Sequence, residues 1–150
     1  MVKKNTTINF YLKISLWTFL CLFLASSYST ARYLTRSHAE DAAVQTIKTI
    51  IRMQNQYPPK RHGNYAPNFY ELVKVENLDV EFADDYPVVD GYTFSLKVAK
   101  SDDGKYTFYS ITADPFYPGD NLLHFYYDST LDSIRATEEN RPANADDPSI

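Results

Sequence analysis

The sequence predicts an α+β fold: a long N-terminal helix, part membrane anchor and part amphipathic, packed on an antiparallel sheet of about four strands. Three observations carry this. All four glycines and eight prolines follow residue 57, so nothing before them breaks a helix. Ala43, Ile47, Ile50, Ile51 and Gln54 fall along one helical face, with Lys48 and Arg52 opposite. Tyr92, Phe94, Leu96 and Val98 alternate with Thr93, Ser95 and Lys97, the pattern of a strand with one buried face. A few strands cannot bury a face alone, and the only long apolar stripe available to cover them is that of the helix.

The N-terminal segment, MVKKNTTINFYLKISLWTFLCLFLASSYSTAR, opens on lysines and turns apolar. Its purest run, Ile14 to Ala25, is short for a membrane span of about 20 residues; Ile8 to Tyr28 reaches that length, with Lys13 able to extend to the interface. Two readings stand side by side. One is a cleaved signal peptide, with small-residue pairs at Ala25/Ser27 or Ser29/Ala31. The other is an uncleaved single-pass anchor with a cytoplasmic N-terminus. In the second case one helix from Ile8 to Gln56 would be roughly 70 Å long at 1.5 Å per residue. Its weak point is SSYST, residues 26–30, whose side chains favour caps and turns. The division that follows is an anchor or signal segment over 1–30, an extracytoplasmic domain over 31–136, and a loose, polar tail over 137–150.

Charge is unevenly distributed. Residues 1–62 hold nine basic and two acidic side chains, a surplus of +7; the remainder holds six basic and seventeen acidic, a deficit of −11. A basic arm on an acidic globule suits an anionic membrane face or an acidic partner, and the globule would repel the phosphates of nucleic acid. An apolar content of 44% is enough for a packed core and argues against wholesale disorder. The single cysteine, Cys21, lies in the apolar run, so no intrachain disulfide forms.

Beyond the helix, Pro58-Pro59 is a stop and Gly63-Asn64 a turn. Asn68 caps a short helix from Phe69 to about Val75, with Glu71 completing the box. EFADDYPVVDG reads as an acidic loop. After the first strand, Asp102-Asp103-Gly104 is a hairpin turn. Lys105 to Ala113 forms a second strand with aromatics on both faces, hence a central one. Leu122 to Asp128 is a third strand and Ser133 to Ala136 a fourth.

The chemistry-bearing residues form no catalytic set. His38, His62 and His124 belong to no local metal or nucleophile motif, and His124, on the strand face alternate to Phe125, is expected to be structural. There is no phosphate-binding glycine loop. The carboxylate pairs Asp84-Asp85, Asp102-Asp103 and Asp146-Asp147 all fall in loops or the tail. Asp114, Asp120, Asp128 and Asp132 gather at strand ends and offer oxygens to Ca²⁺, with Asp128 and Asp132 the candidates at the far end, though their spacing is not that of an EF-hand. The expectation is no enzyme, no small-molecule substrate and no cofactor beyond that possible calcium.

Four groups of residues also resemble, in order, a known family. They are Ala43, Val44, Ile47, Thr49 and Ile50; then Gly91, Tyr92, Phe94 and Leu96; then Tyr106, Ala113, Pro115, Pro118 and Gly119; and Phe125, Tyr126, Asp128, Ile134 and Arg135. Together they resemble the soluble part of type IV pilin-like proteins, above all the pseudopilins of type II secretion, over roughly residues 36–148. The resemblance implies a pilin-like fold, a place at the bacterial inner membrane with the domain in the periplasm, and other pilin-like or secretion-system subunits as partners. A stand-alone periplasmic binding or adaptor module is the second reading. The front of the chain departs from the family: no glycine precedes Gly63 and no acid precedes Glu40, so the prepilin peptidase junction and its glutamate are missing. Without that glutamate a buried terminal amine would lack its counter-charge in a fibre.

Overall fold

Helical spacing sets the first element. The computed structural model describes residues 36–57, 64–76, 78–117 and 121–150; helix α1 covers 36–57. Ala43, Ile47, Ile50, Gln54 and Tyr57 are all buried, in steps of four and three that keep one stripe facing inward. Lys48 and Arg52 stay exposed on the opposite side, and Ile51 flanks the stripe half-buried. The chain divides into a unit of Met1–Ser37 and a unit of His38–Ile150, and every later element belongs to the second.

Helix α2, Phe69–Glu76, begins where its cap predicts: the Asn68 side-chain oxygen accepts the Glu71 amide at 2.9 Å. It buries Phe69 and Leu72. A single 3-10 turn, Val80–Phe82, follows under an Asp79 cap and buries Phe82. Phe82 meets Phe69 at a tilt and Phe94 edge-on, with ring centroids 5.4 and 5.5 Å apart, so this turn ties α2 to the sheet.

The sheet is a five-stranded antiparallel meander in sequence order: β1 (Val88–Val89), β2 (Tyr92–Lys100), β3 (Tyr106–Pro115), β4 (His124–Asp128) and β5 (Arg135–Thr137). Asp90 and Gly91 both have positive φ, 51° and 82°, as the tight turn between β1 and β2 requires. Register places Phe94 against Ala113, and Ala113 against Phe125, and Phe125 against Ala136. All four are buried, and with Tyr92, Tyr109 and Ile111 they share one core with the inner stripe of α1 and with Phe69, Leu72 and Phe82. Each large side chain so buried stabilises the fold by about 1.5–3 kcal/mol before entropy is counted.

These findings correct the expected architecture. The sheet has five strands, not about four. The added one, β1, lies inside the stretch read as an acidic loop; two residues are too few to show an alternation. Of the expected helix from Ile8 to Gln56, the part before residue 36 lies outside the described residues; the helical elements described are α1, the eight-residue α2 and the 3-10 turn. The anchor, Cys21 and the SSYST segment lie outside the described residues, and among the described ones no helix is long and apolar enough to cross a membrane. Nothing in the arrangement identifies the pilin-like fold that the resemblance implies. The segment read as a loose tail runs back beside β5: the Ala136 amide donates to the Pro148 carbonyl (2.9 Å) and the Ile150 amide to that of Ile134 (3.0 Å).

Candidate functional site

The second face of the sheet carries the polar residues that sequence singled out. Alternation sends Asp114, His124, Tyr126, Asp128, Arg135 and Thr137 to the side away from Phe125 and Ala113. The register that opposes Ala113 to Phe125 brings Asp114 beside His124, and the His124 Nδ1 lies 2.6 Å from the Asp114 Oδ1. The two side chains are 15% and 31% exposed, so the pair is sheltered yet reachable from water. A carboxylate holding Nδ1 fixes the imidazole and leaves Nε2 to act as a donor or acceptor. Among the described residues no hydroxyl or thiol is hydrogen-bonded to that nitrogen.

Asp128, one of the two calcium candidates, is 5% exposed and has its oxygens engaged. Oδ1 accepts the Thr130 amide at 2.8 Å and the Thr130 hydroxyl at 2.6 Å, while Oδ2 accepts the Tyr126 hydroxyl at 3.0 Å. Burial raises its pKa, but the Thr130 and Tyr126 bonds outweigh burial, and the carboxyl titrates below the ordinary Asp value. The same contact, after burial, raises the pKa of Tyr126. Asp128 thus closes the β4–β5 turn. Asp132 is exposed and accepts only the Ser133 hydroxyl, at 3.1 Å. Asp114 is committed to His124, and Asp120 lies outside the described residues, as does His62. Among the described residues no three His, Cys, Asp or Glu side chains gather as a metal group would need.

The remaining carboxylate pairs divide by role. Asp84 and Asp85 are exposed in the loop before β1. Asp103 sits in the β2–β3 turn, where the Lys105 ammonium 2.7 Å away and the Ser101 hydroxyl hold its pKa down at about 2. Asp147 takes a two-pronged bond from Arg141, 2.9 and 2.5 Å, plus the Asn144 amide at 2.8 Å, and its pKa is likewise lowered to about 2. That clasp closes the C-terminal loop over the buried Ala143.

Sequence reasoning placed His124 on the correct face but did not join it to Asp114, because the pairing depends on register between strands. It also missed a buried polar contact in the core. Gln54, read only as part of the helical stripe, bonds the backbone of Ala66 in both directions, donating Nε2–H to its carbonyl (3.1 Å) and accepting its amide at Oε1 (2.9 Å). A polar residue standing in an apolar stripe is the signal that could have found it. Comparison of the chain with protein-family models, with curated proteins and with solved structures yields no match.

Proposed function

We propose that the chain is a non-enzymatic structural or accessory component of a type II secretion or type IV pilus-like system. In this reading its N-terminal segment holds it at the bacterial inner membrane, with the sheet unit on the periplasmic side. The observation that carries the proposal is the chain order of the motif residues. Ala43, Ile47 and Ile50 lie on the buried stripe of α1, Tyr92 and Phe94 on β2, Ala113 on β3 and Phe125 on β4. The charge division adds to it, since a basic N-terminal arm suits an anionic membrane face.

The test is in-cell crosslinking of the tagged full chain, followed by membrane fractionation and identification of partners. Co-purification with secretion or pilus subunits from the membrane fraction is the expected result. Recovery only as an uncrosslinked periplasmic monomer would overturn it.

One observation favours a second reading, a stand-alone periplasmic adaptor. The prepilin peptidase glycine and the helix glutamate are both missing before Glu40. The same crosslinking separates the two, because an adaptor is recovered as a monomer without secretion or pilus subunits, whereas a component of such a system is recovered with them.

A further inference from the structure

Successive turns of an antiparallel meander fall at alternate ends of the sheet, and here the two ends differ in chemistry. One end holds the β2–β3 turn, Ser101 to Lys105, and the β4–β5 turn, Ser129 to Ser133, where Leu131 is the only large apolar side chain. The other end holds the Asp90-Gly91 turn and the two sides of the β3–β4 connection. There Phe116 and Tyr117 stand 47% and 65% exposed, edge to face with ring centroids 4.8 Å apart. The Phe116 amide donates to the Gly91 carbonyl at 2.9 Å, which ties the pair to the β1–β2 turn. Leu122 and Leu123, half-buried, lead into β4 at the same end.

Two contacts orient α1 between these ends. Toward its C-terminus, Gln54 bonds to Ala66, whose neighbour Tyr65 donates its amide to Tyr106 at the polar end. In its early turns, Glu40 accepts the Leu123 amide at 3.1 Å, and the Tyr92 hydroxyl donates to the Leu123 carbonyl at 3.0 Å. The helix therefore enters the sheet unit at the aromatic end, and the chain that precedes it is joined there. That preceding chain contains the apolar run Ile8 to Tyr28. Tyr28 and Arg36 are eight residues apart in sequence. A fully extended chain covers about 3.6 Å per residue, so this tether reaches at most about 29 Å. With the run held in a bilayer, so short a tether keeps the start of α1 close to the bilayer surface, which acts as a high local concentration.

We infer, on the reading of the N-terminal segment as an anchor, that Phe116 and Tyr117 form a membrane-contact surface whose rings enter the interfacial layer of the same bilayer. Rings suit that layer, where an apolar body and a wet phenol hydroxyl are both satisfied. The rings and not charge carry the contact, since Asp90 stands exposed at the turn to which Phe116 is tied. The surface recognised is the boundary between headgroups and acyl chains, which a zwitterionic phospholipid supplies.

The test uses the full chain in vesicles of dioleoylphosphatidylcholine, with or without bromine on the acyl chains. Trp17→Phe removes the single native tryptophan. On that background Tyr117→Trp supplies a reporter at the aromatic end and Asp102→Trp one at the polar end. Flotation with the vesicles reads the anchor, and bromine quenching reads the contact. We expect the protein to float. The Tyr117→Trp protein should lose about half of its fluorescence to brominated lipid and the Asp102→Trp protein almost none, because an interfacial ring lies within reach of the upper acyl chains. Phe116→Trp gives a second reporter and should match Tyr117→Trp. Failure to float would overturn the anchor and this contact with it. Flotation with equal quenching of the Tyr117→Trp and Asp102→Trp proteins would overturn the contact alone. Shielding of the Tyr117→Trp protein from acrylamide without bromine quenching would put a second copy or another protein on the rings, and would overturn it too.

Discussion

Gln54 and Ala66, twelve residues apart, are joined by a two-way amide pairing inside the core: Gln54 is fully buried and satisfies both backbone polar groups of Ala66. The contact fixes where the chain goes after α1. It stands next to Tyr65, whose amide donates to the Tyr106 carbonyl (3.0 Å) and whose ring meets Tyr109 edge-on at 4.7 Å. Gln54→Leu keeps the volume and orphans a buried N–H and C=O, at about 1–3 kcal/mol each. We expect a loss of roughly 2–5 kcal/mol in urea denaturation, with faster exchange of the Tyr65 and Ala66 amides. A loss below about 0.5 kcal/mol would mean that water replaces the side chain at no cost.

What could be read from sequence follows from the range of each interaction. The stripe Ala43, Ile47, Ile50, Gln54 and the cap Asn68 are local, and the helix period or a three-residue spacing reveals them. The β2 face was equally legible. The Asp114–His124 pair, ten residues apart, and the bond from the Leu123 amide to Glu40 (3.1 Å) depend on register and tertiary path, which no local pattern encodes. Strand β1 could have been caught from Asp90-Gly91, a strong hairpin signal, though Val88-Val89 alone is too short for a period.

Gly91 tests that turn. Its φ is +82°, and a methyl group added there would meet no atom within 4 Å, so the cost of Gly91→Ala is conformational alone. We expect about 1 kcal/mol of destabilisation by chemical denaturation. Gly104, at φ +81° and equally open, should behave alike. A much larger effect at Gly91 would mean that β1 pairing carries more of the fold than two residues suggest.

Acid should unfold the protein through Asp128 and Asp147. Both carboxyls titrate lower in the folded state than in the unfolded chain, Asp147 down to about 2 from 3.8. The unfolded chain therefore takes up protons first, and the stabilisation is complete above the ordinary Asp range and is lost as pH falls toward 2. Asp147→Asn and Asp128→Asn should each flatten the fall of melting temperature between pH 4 and 2. An unchanged slope in both would show that other groups control acid unfolding.

Calcium should not compete well for Asp128. A cation there must displace bonds from Thr130 and Tyr126 while Asp132 adds one exposed carboxylate. Millimolar CaCl₂ should leave the melting temperature of wild type and Asp132→Asn equal. A calcium-dependent rise that Asp132→Asn removes would restore the site.

Tyr109 gives the prediction of opposite sign. It is fully buried on the central strand, its ring packed by Tyr65 and Tyr127; its hydroxyl makes no hydrogen bond of ordinary geometry among the described residues, and its one polar neighbour is the Tyr127 phenol, too poorly aligned to replace a full bond. Burial, followed by the neighbouring Tyr127 and Tyr65, pushes its pKa far above the ordinary phenol value. A buried hydroxyl without a full hydrogen bond costs free energy, whereas the ring contributes packing. Tyr109→Phe should therefore keep or raise stability, by up to about 1 kcal/mol, while Tyr109→Leu should lower it by roughly 1–3 kcal/mol through lost ring contacts. Tyrosine absorbance at 295 nm should show one phenol fewer ionising on alkaline unfolding of Tyr109→Phe, with the titration of the folded protein unchanged. A clear destabilisation by Tyr109→Phe would show that the hydroxyl is bonded in solution, with Tyr127, the phenol beside it, as the first partner to mutate.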